Sequence, residues 1–474
     1  MVESQEMTRS DVHPRAHRRA ILNFSLQMAA LGALLVFYNR LTARWFIVVG
    51  AIRRGLAPLY GDPTFPPHLW PASLVAPALF VAVYLIYRLA RDRSVPGWAV
   101  AATATVSALA LGLSARLLQG PEGLTYRFSW TPYHYFGDVS RVQGVGHFLR
   151  HYVDLLPTLS VHSGTHPPGG VLFLWGVSRL FGPGIVAATL ATTLVTALSA
   201  VPFHALARRL LGPDWALHAM PLYLATPTLV FHGASSMDGL YLFALLSAAW
   251  LYERSLSRGG VASAVGVGLA LAICTLLTYA TVCLIAVFCC RLALGLLRGA
   301  ESRRPFFVLV VAAFTMVLSF TALYRVSGFH LLEAALWSAG RDARQMGPQF
   351  SRAPVYLLTS TTNVLAFLVG IGLPTAVLWL RQVGKPLFDA AGRPAEPARG
   401  TTDGLAAAVL VLGFSTLFTV ETERVWLMLA PLAVIAAAAH LREMDRLAGR
   451  LRLVAVSYGV LAAQSVLMAW LIRA

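Results

Sequence analysis

Long apolar runs recur along nearly the whole chain, and they constrain its fold more than any other feature. A helix needs about 20 residues to cross a bilayer, and only helices and closed barrels satisfy their backbone hydrogen bonds there. The chain is 57% hydrophobic and 12% charged. A soluble protein carries about 25% charged residues. The sequence therefore predicts an all-α polytopic membrane protein.

The spacing of the apolar runs predicts about thirteen transmembrane helices. They lie near residues 21–38, 72–90, 97–117, 184–207, 215–232, 238–253, 261–276, 279–297, 305–325, 354–380, 403–420, 424–441 and 452–472. The pair within 261–297 is the least regular. Only three threonines and a tyrosine mark a turn there, so we expect two short helices.

The distribution of arginine predicts the orientation. Segments on one side of the spans carry more basic residues than the longer segments on the other side, which places the N-terminus in the cytoplasm. The predicted organisation is a cytoplasmic tail (1–20), two spans with a loop (21–96), a transmembrane core (97–325) containing an external loop (118–183), a second external loop (326–352) and C-terminal spans (353–474).

The net charge of +17 does not indicate a nucleic-acid partner, because the basic residues are scattered among short loops. Almost no charge falls in mid-span, which counts against an ion-coupled transporter. The cysteines lie inside apolar segments without a partner at metal-ligand spacing. We therefore predict no metal site and no cofactor.

Asp138 is an isolated acid of the 118–183 loop, with no second acid beside it. Aspartate often caps a helix, and the amphipathic pattern of 139–156 predicts a helix on the membrane surface directly after it. Alternatively, its carboxylate serves as a general base that accepts a hydroxyl proton. Residues 169–182 predict a second surface or re-entrant helix.

His166 begins a His-Pro-Pro turn, in which the prolines push the preceding residue out of helical space. This is either a helix-entry turn with an incidental histidine or an imidazole placed near phosphate or sugar hydroxyls. His162 is a weaker candidate of the same kind. Tyr135 suits stacking on a sugar ring, and equally an interfacial aromatic belt.

Further polar residues lie at the predicted outer ends of later spans. Asp238 opens the sixth span, either as an N-cap or as a site residue. Arg424 can bind phosphate with its planar fork, or can pair internally with Glu421 or Glu423. Arg341 and Arg344 in the 326–352 loop also suit contact with an acid or phosphate.

Taken together, these motifs resemble the GT-C superfamily of integral-membrane glycosyltransferases, which use polyprenyl-phosphate-linked sugars. The segment 227–238 resembles the protein O-mannosyltransferase and aminoarabinose-transferase branches. The resemblance rests on the acid at 138, the His-Pro-Pro turn, the Leu-Phe-Gly helix end at 180–182, the Ala207-Arg-Arg-Leu-Leu-Gly span end and Glu421-Thr-Glu-Arg424-Val-Trp. It covers residues 97–300 well and the remainder loosely.

The resemblance implies that Asp138 is the catalytic base and that His166, Asp238 and Arg424 line the site. Two departures stand out. Many members carry paired acids in the first loop, whereas Gly137 precedes a lone Asp138 here, which puts a metal-dependent mechanism in doubt. Two spans also precede the usual first one.

The predicted function is inverting transfer of a sugar from a polyprenyl-phosphate lipid to a hydroxyl of a cell-envelope glycan, lipid or protein. The predicted place is the outer face of a bacterial plasma membrane. One alternative is a lipid-linked glycan ligase or polymerase, which should recognise pyrophosphate. Another is a lipid or sugar transporter, which should move its substrate unmodified.

Overall fold

In the computed structural model the described part of the chain is almost entirely helical. The structure describes residues 14–49, 58–59, 62–63, 72–91, 95–129, 133–299, 302–346, 353–383, 385, 398–418, 421–448 and 452–473. Within these ranges, the strands are confined to an antiparallel pair, β1 (Asp62–Pro63) and β2 (Ile472–Arg473). The predicted all-α class is confirmed.

The helices follow in three groups. The first group leads into and forms the 118–183 loop: α1 (Pro14–Val49), α2 (Ala72–Arg91), α3 (Gly97–Leu117), α4 (Tyr126–Ser129), α5 (Val145–Arg150), α6 (Tyr152–Leu155), α7 (Val161–Thr165) and α8 (Gly169–Phe181). The second group is α9 (Ile185–Leu198), α10 (Ala200–Leu211), α11 (Pro213–Leu224), α12 (Asp238–Arg258), α13 (Val261–Leu277), α14 (Thr281–Leu297), α15 (Arg303–Ser327) and α16 (Leu331–Met346).

The third group is α17 (Ala353–Ile371), α18 (Leu373–Gln382), α19 (Ala398–Gly413), α20 (Thr422–Val425), α21 (Ala430–Ala448) and α22 (Arg452–Leu471). Short 3₁₀ turns occur at Pro121–Leu124, Tyr135–Arg141, Leu156–Thr158 and Leu427–Leu429, and a π-helical turn at Leu229–Gly233.

Eight stretches of the described helices are long and apolar enough to cross a membrane. They are Ile21–Leu41, Leu74–Arg91, Gly97–Leu117, Ile185–Leu211, Arg303–Ser327, Ala353–Ile371, Leu427–Met444 and Arg452–Leu471. The predicted count of about thirteen is not confirmed. Helices α8, α13 and α14 are apolar but shorter.

Burial separates central from peripheral spans. In Leu427–Met444, 89% of the stretch is buried, which places it at the centre of the bundle. Only 11% of Ile21–Leu41 and 17% of Arg303–Ser327 are buried. The exposed apolar side chains of these two helices suit contact with lipid, where their backbone groups are satisfied internally.

The prediction of two short helices within 261–297 is confirmed by α13 and α14. The connection lies at Thr278, whose extended backbone ends α13. Its side-chain oxygen accepts a hydrogen bond from the Ala280 amide at 3.2 Å. A threonine that offers the backbone such a local alternative favours a turn over a continuous helix.

The prediction of one amphipathic surface helix over 139–156 is wrong. The segment consists of short helical pieces, and its apolar stripe packs against protein. Phe148, Tyr152 and Leu156 are fully buried, and the Tyr152 ring lies 5.8 Å from that of Phe329, centroid to centroid. The periodicity was real, but the apolar face covers the protein core. The second predicted helix, over 169–182, is α8.

Two predicted spans, 215–232 and 354–380, are each broken. Helix α11 ends before Pro227, which cannot continue a helical hydrogen-bond ladder. Gly372 separates α17 from α18 with φ of +89°, and a Cβ there would lie 2.2 Å from Leu461. After the first break, the Thr228 hydroxyl donates to the Glu423 carbonyl, which joins the two segments that carry the site described next.

Candidate active site

A buried ion-pair network joins the start of α12 to the turn before α21. Arg424 Nε donates to Asp238 Oδ2 at 2.8 Å, and Arg424 Nη1 donates to Glu421 Oε2 at 2.8 Å. The Ser236 hydroxyl donates to the same Asp238 oxygen. The three charged side chains are between 12% and 17% exposed. Coulomb interactions are strong this far from water, so the network holds the two segments together.

Arg127, in the 118–183 loop, brings a second guanidinium to Asp238. Its Nη1 lies 3.9 Å from Asp238 Oδ2, and its Nη2 lies 3.0 Å from Nδ1 of His232. Arginine stays protonated and has donors only, so His232 Nδ1 must be the acceptor. The remaining proton of His232 is therefore on Nε2.

Arg116 approaches the same turn from α3. It donates to the carbonyl oxygens of Phe231 and Ala234, on either side of His232. Arg116 and Arg127 are 5% and 6% exposed. We call the set Arg116, Arg127, Asp238, Glu421 and Arg424 the arginine cluster. It holds three guanidinium groups and two carboxylates.

Four rings form a wall beside the arginine cluster. The Tyr241 hydroxyl donates to the Tyr135 hydroxyl at 2.9 Å. The His166 ring stacks on Tyr241 with centroids 6.0 Å apart, and the His162 ring stacks on Tyr135 at 5.9 Å. We call Tyr135, His162, His166 and Tyr241 the ring wall. Tyr241 follows Asp238 by one helical turn, so α12 positions both groups on one face.

The histidines of this region are neutral at physiological pH. Burial, reinforced by the positive charge of Arg424, lowers the pKa of His166 to about 4 and that of His134 to about 3. The same two causes, in the same order, hold the pKa of His162 well below its usual value. His166 Nδ1 lies 3.1 Å from the His162 carbonyl, so Nδ1 donates and Nε2 is left as an acceptor.

Asp138 is buried in the 118–183 loop with both carboxylate oxygens engaged. Oδ2 accepts a hydrogen bond from the Ser160 amide at 3.0 Å, and Oδ1 lies 3.3 Å from Nε of Arg141. The expected cap on the following helix is absent, since Gly144 precedes α5 without a side-chain cap. The carboxylate instead ties the 135–141 turn to the segment that carries the histidines.

The structure also shows how α12 is capped and how the His166 turn enters α8. The Asp238 amide donates to Ser236 Oγ at 3.1 Å, so Ser236 satisfies the start of α12 and the Asp238 carboxylate faces the arginines. His166 is extended, as expected before proline, and leads into α8.

Arg341 contacts the 118–183 loop from α16. Its guanidinium donates to the carbonyl oxygens of Leu156 and Leu159 at 3.4 Å, and it lies over the Trp337 ring. Arg344 belongs to the same helix, but its side chain lies outside the described residues. These contacts fix the 156–165 segment, which carries His162.

Two glycines permit the close packing of the site. A Cβ on Gly239 would lie 1.5 Å from Thr196 Oγ1, so only glycine lets α12 begin this close to α9. A Cβ on Gly170 would lie 3.0 Å from the Tyr241 hydroxyl. Each substitution would push α12 or the ring wall away from its neighbour.

The structure therefore brings together six of the predicted residues: Tyr135, His162, His166, Asp238, Glu421 and Arg424. Sequence reasoning missed Arg127, Arg116, His232 and Tyr241. Tyr241 had a usable signal, because it follows Asp238 at helical spacing. In the described part of the chain, no group of three or more His, Cys, Asp or Glu side chains is placed to hold a metal ion.

Residues 165–336 match the family model described as Dolichyl-phosphate-mannose-protein mannosyltransferase. Over this stretch, the resemblance to the protein O-mannosyltransferase branch is confirmed. The matched stretch contains His166, Asp238 and Tyr241, whereas Asp138 and Arg424 lie on either side of it. No curated protein sequence matches the chain.

Two solved structures from Archaeoglobus fulgidus are similar to this chain. The oligosaccharyltransferase in complex with Zn and sulfate is 16% identical, with a TM-score of 0.47 over 77% of this chain and 53% of its own. The oligosaccharyltransferase AglB, in complex with an inhibitory peptide and a dolichol-phosphate, is 14% identical, with a TM-score of 0.44. The similarity covers 77% of this chain and 56% of AglB. The chain spans little more than half the length of either.

Proposed function

We propose that this chain is an inverting glycosyltransferase that uses a polyprenyl-phosphate sugar as donor. Its acceptor is a hydroxyl of a cell-envelope glycan, lipid or protein, and its site faces the outside of a bacterial plasma membrane. The observation that carries the proposal is the arginine cluster lying beside the ring wall. A group of buried guanidiniums next to tyrosine and imidazole rings suits a ligand with an anionic phosphate and a hydroxyl-rich ring.

Arg424 is the proposed ligand of the donor phosphate. Its planar fork matches two phosphate oxygens, and it is held by Asp238 and Glu421 in a site where water does not weaken the contact. As the bond between the sugar and the phosphate breaks, negative charge grows on the departing phosphate. A fixed cation at that position stabilises this charge more in the transition state than in the ground state.

The ring wall is the proposed sugar subsite. Flat rings suit the apolar face of a pyranose, and the neutral His166 offers Nε2 as an acceptor for a sugar hydroxyl. Arg341 and Arg344 were candidates for phosphate contact. The contacts of Arg341 favour a different role, because it holds the loop that supplies His162.

Asp138 is the proposed general base. The acceptor oxygen forms a bond to the anomeric carbon from the face opposite the phosphate, and its proton passes to the Asp138 carboxylate. The carbon–oxygen bond to the phosphate breaks, and its electron pair leaves with the polyprenyl phosphate. The amide of Ser160 fixes the direction of the carboxylate, while Arg141, 40% exposed, pairs with it at the protein surface.

The test uses right-side-out vesicles that contain the protein, loaded with polyprenyl-phosphate sugars and given a water-soluble acceptor on the outside. We expect the acceptor to gain one sugar of inverted anomeric configuration and the membrane to gain free polyprenyl phosphate. Mass spectrometry measures both products and NMR gives the configuration. A retained configuration contradicts the single displacement. Transfer only when the acceptor is trapped inside contradicts the outward orientation.

A further inference from the structure

Asp138 lies in a 3₁₀ turn that runs from the ring wall to the protein surface. The turn spans Tyr135–Arg141. Side chains three residues apart eclipse one another in a 3₁₀ helix, so Tyr135, Asp138 and Arg141 lie on one face of the turn. Tyr135 and Asp138 are each 3% exposed, whereas the Arg141 side chain is 40% exposed. The three residues therefore follow one another from the proposed sugar subsite, past the proposed base, to the surface.

The two oxygens of the Asp138 carboxylate are held in different ways. Oδ2 accepts a hydrogen bond from a backbone amide, that of Ser160, at 3.0 Å. Oδ1 lies 3.3 Å from Nε of Arg141, a side chain that can turn aside without a change of the backbone. A carboxylate offers about four acceptor positions, and among the described residues Ser160 and Arg141 are its partners. Asp138 thus has acceptor capacity left for a hydroxyl group of a ligand.

Thr158 holds Arg141 in place over the carboxylate. Arg141 Nη1 donates to Thr158 Oγ1 at 2.7 Å, and the Thr158 hydroxyl donates to the Leu155 carbonyl at 2.9 Å. Arginine has donors only, so the Thr158 oxygen is the acceptor in the first of these contacts. The guanidinium therefore joins the 135–141 turn to the 156–158 turn, and the Asp138 side chain, 5% exposed, lies beneath it.

The contacts that hold Arg141 can be exchanged, whereas the contact from Ser160 belongs to the backbone. Arg141 and Thr158 are both exposed. An exposed ion pair and a single hydrogen bond stabilise a structure only slightly, because water competes for the same groups. An acceptor molecule that binds at the surface makes several contacts with the protein and can offset their loss. A single water molecule makes too few contacts to do so.

We propose that Arg141 is a specificity-determining residue, which admits the acceptor to Asp138 and keeps water away from it. This rests on the proposed function, which makes Asp138 the general base. The bound acceptor displaces the guanidinium, and its hydroxyl group then donates to the Asp138 carboxylate. Until that happens, Arg141 and Thr158 keep the carboxylate from activating a water molecule. Arg141 acts through Asp138 and is not itself a catalytic residue.

The reaction that Arg141 prevents is hydrolysis of the donor. In hydrolysis, a water oxygen bonds to the anomeric carbon and one water proton passes to the Asp138 carboxylate. The bond between that carbon and the phosphate oxygen breaks, and its electron pair leaves with the polyprenyl phosphate. The products are free sugar and polyprenyl phosphate, so each such event wastes one donor. Covering the base until the acceptor is bound raises the share of donor that reaches the acceptor.

The test measures the release of free sugar by the full-length protein in detergent, without acceptor, from a panel of polyprenyl-phosphate hexoses and pentoses. We expect Arg141→Gln to release sugar about 3- to 10-fold faster than wild type, as for loss of an exposed ion pair and one hydrogen bond. Arg141→Lys should give a smaller increase, because lysine keeps the charge but loses the fork that also reaches Thr158.

Two further variants narrow the cause. Thr158→Val removes the acceptor for Arg141 Nη1 and should give a small increase in sugar release. Arg150→Gln, at an exposed arginine of the same loop, is the matched control and should release sugar at the wild-type rate.

The double variant Asp138→Asn/Arg141→Gln shows whether the extra release passes through Asp138. We expect release at the level of Asp138→Asn alone, because asparagine takes no proton at neutral pH. Release as fast as in Arg141→Gln, or wild-type release in Arg141→Gln itself, overturns this role of Arg141 and leaves sugar transfer in place. If Arg141→Gln does not fold, wild-type release in Thr158→Val overturns it. Absence of any donor consumption by wild type, with or without acceptor, removes the proposed function itself.

Discussion

Asp138 and Asp238 are both buried acids of the predicted outer side, and they have opposite surroundings. Asp138 accepts from a backbone amide and pairs with Arg141, which is 40% exposed to solvent. Asp238 lies between Arg127 and Arg424, which are 7% and 16% exposed. The carboxylate of Asp138 therefore has a partner that water screens, whereas the carboxylate of Asp238 is held between two buried cations.

This difference separates two kinds of chemistry. Two buried guanidiniums stabilise the charged form of Asp238 and therefore oppose its accepting a proton. Asp138 has one such partner, and water weakens that pair. The comparison favours Asp138 as the group that takes a proton and Asp238 as part of an anion-binding site.

The largest expected effect is loss of transfer in Asp138→Asn. Asparagine keeps the acceptor oxygen for the Ser160 amide but takes no proton at neutral pH. We expect the transfer rate to fall by about 10² to 10⁴, the usual contribution of a general base. Polyprenyl-phosphate binding should persist. Rapid-quench turnover and lipid binding, measured on the same preparation, check both.

The matched control is Asp154→Asn, at an acid of the same loop that is 79% exposed and pairs with His151. It should transfer sugar at the wild-type rate. Normal turnover by Asp138→Asn would place the base elsewhere, with Asp238 and Glu421 as the next acids to test.

Arg424→Ala should weaken donor binding about 10- to 100-fold, because a charge-assisted contact to the phosphate is lost. Arg424→Lys should recover only part, since lysine cannot form the bidentate contact. The donor dissociation constant, measured with an unreactive donor analogue, gives both values. If neither variant changes it, Arg424 acts only as the partner of Asp238 and Glu421.

A smaller effect is expected from His166 on stability at acid pH. Its pKa of about 4 in the folded protein lies below the usual value of about 6.5. The unfolded chain therefore takes up the proton first as the pH falls. The contribution of His166 to stability is complete above about pH 6.5 and decreases toward pH 4.

Thermal stability should therefore decrease less steeply in His166→Gln than in wild type as the pH falls from about 6.5 to about 4. The exposed His147, changed to glutamine, is the control and should leave the slope as in wild type. An unaltered slope in His166→Gln would mean that another group controls acid stability.

Much of this molecule was predictable from sequence, and the failures have physical causes. Helix α3 begins and ends at the predicted residues, because hydrophobic length alone sets a span. Asp238 and Arg424 were predicted separately from their places at outer span ends, and the structure brings them into contact. Arg127 was missed because its role depends on His232, 105 residues away, which no local pattern reveals.

The prediction of a surface helix over residues 139–156 was wrong for the opposite reason. Its apolar periodicity was clear, but periodicity gives a buried face without telling whether protein or lipid covers it. The contact of Tyr152 with Phe329, in the later 326–352 segment, decides that question. The contacts of Arg341 with loop carbonyl oxygens could not be predicted from its residue type either, and its contact with an acid or phosphate stays a prediction.

The most direct measurement compares two donors that differ by one phosphate. Purified protein is given the same sugar on polyprenyl monophosphate and on polyprenyl pyrophosphate, and the free lipid product is measured by mass spectrometry. We predict consumption of the monophosphate donor with release of polyprenyl monophosphate, and no turnover of the pyrophosphate donor. Preferred use of the pyrophosphate donor, or movement of either lipid across vesicles without release of sugar, would contradict the account.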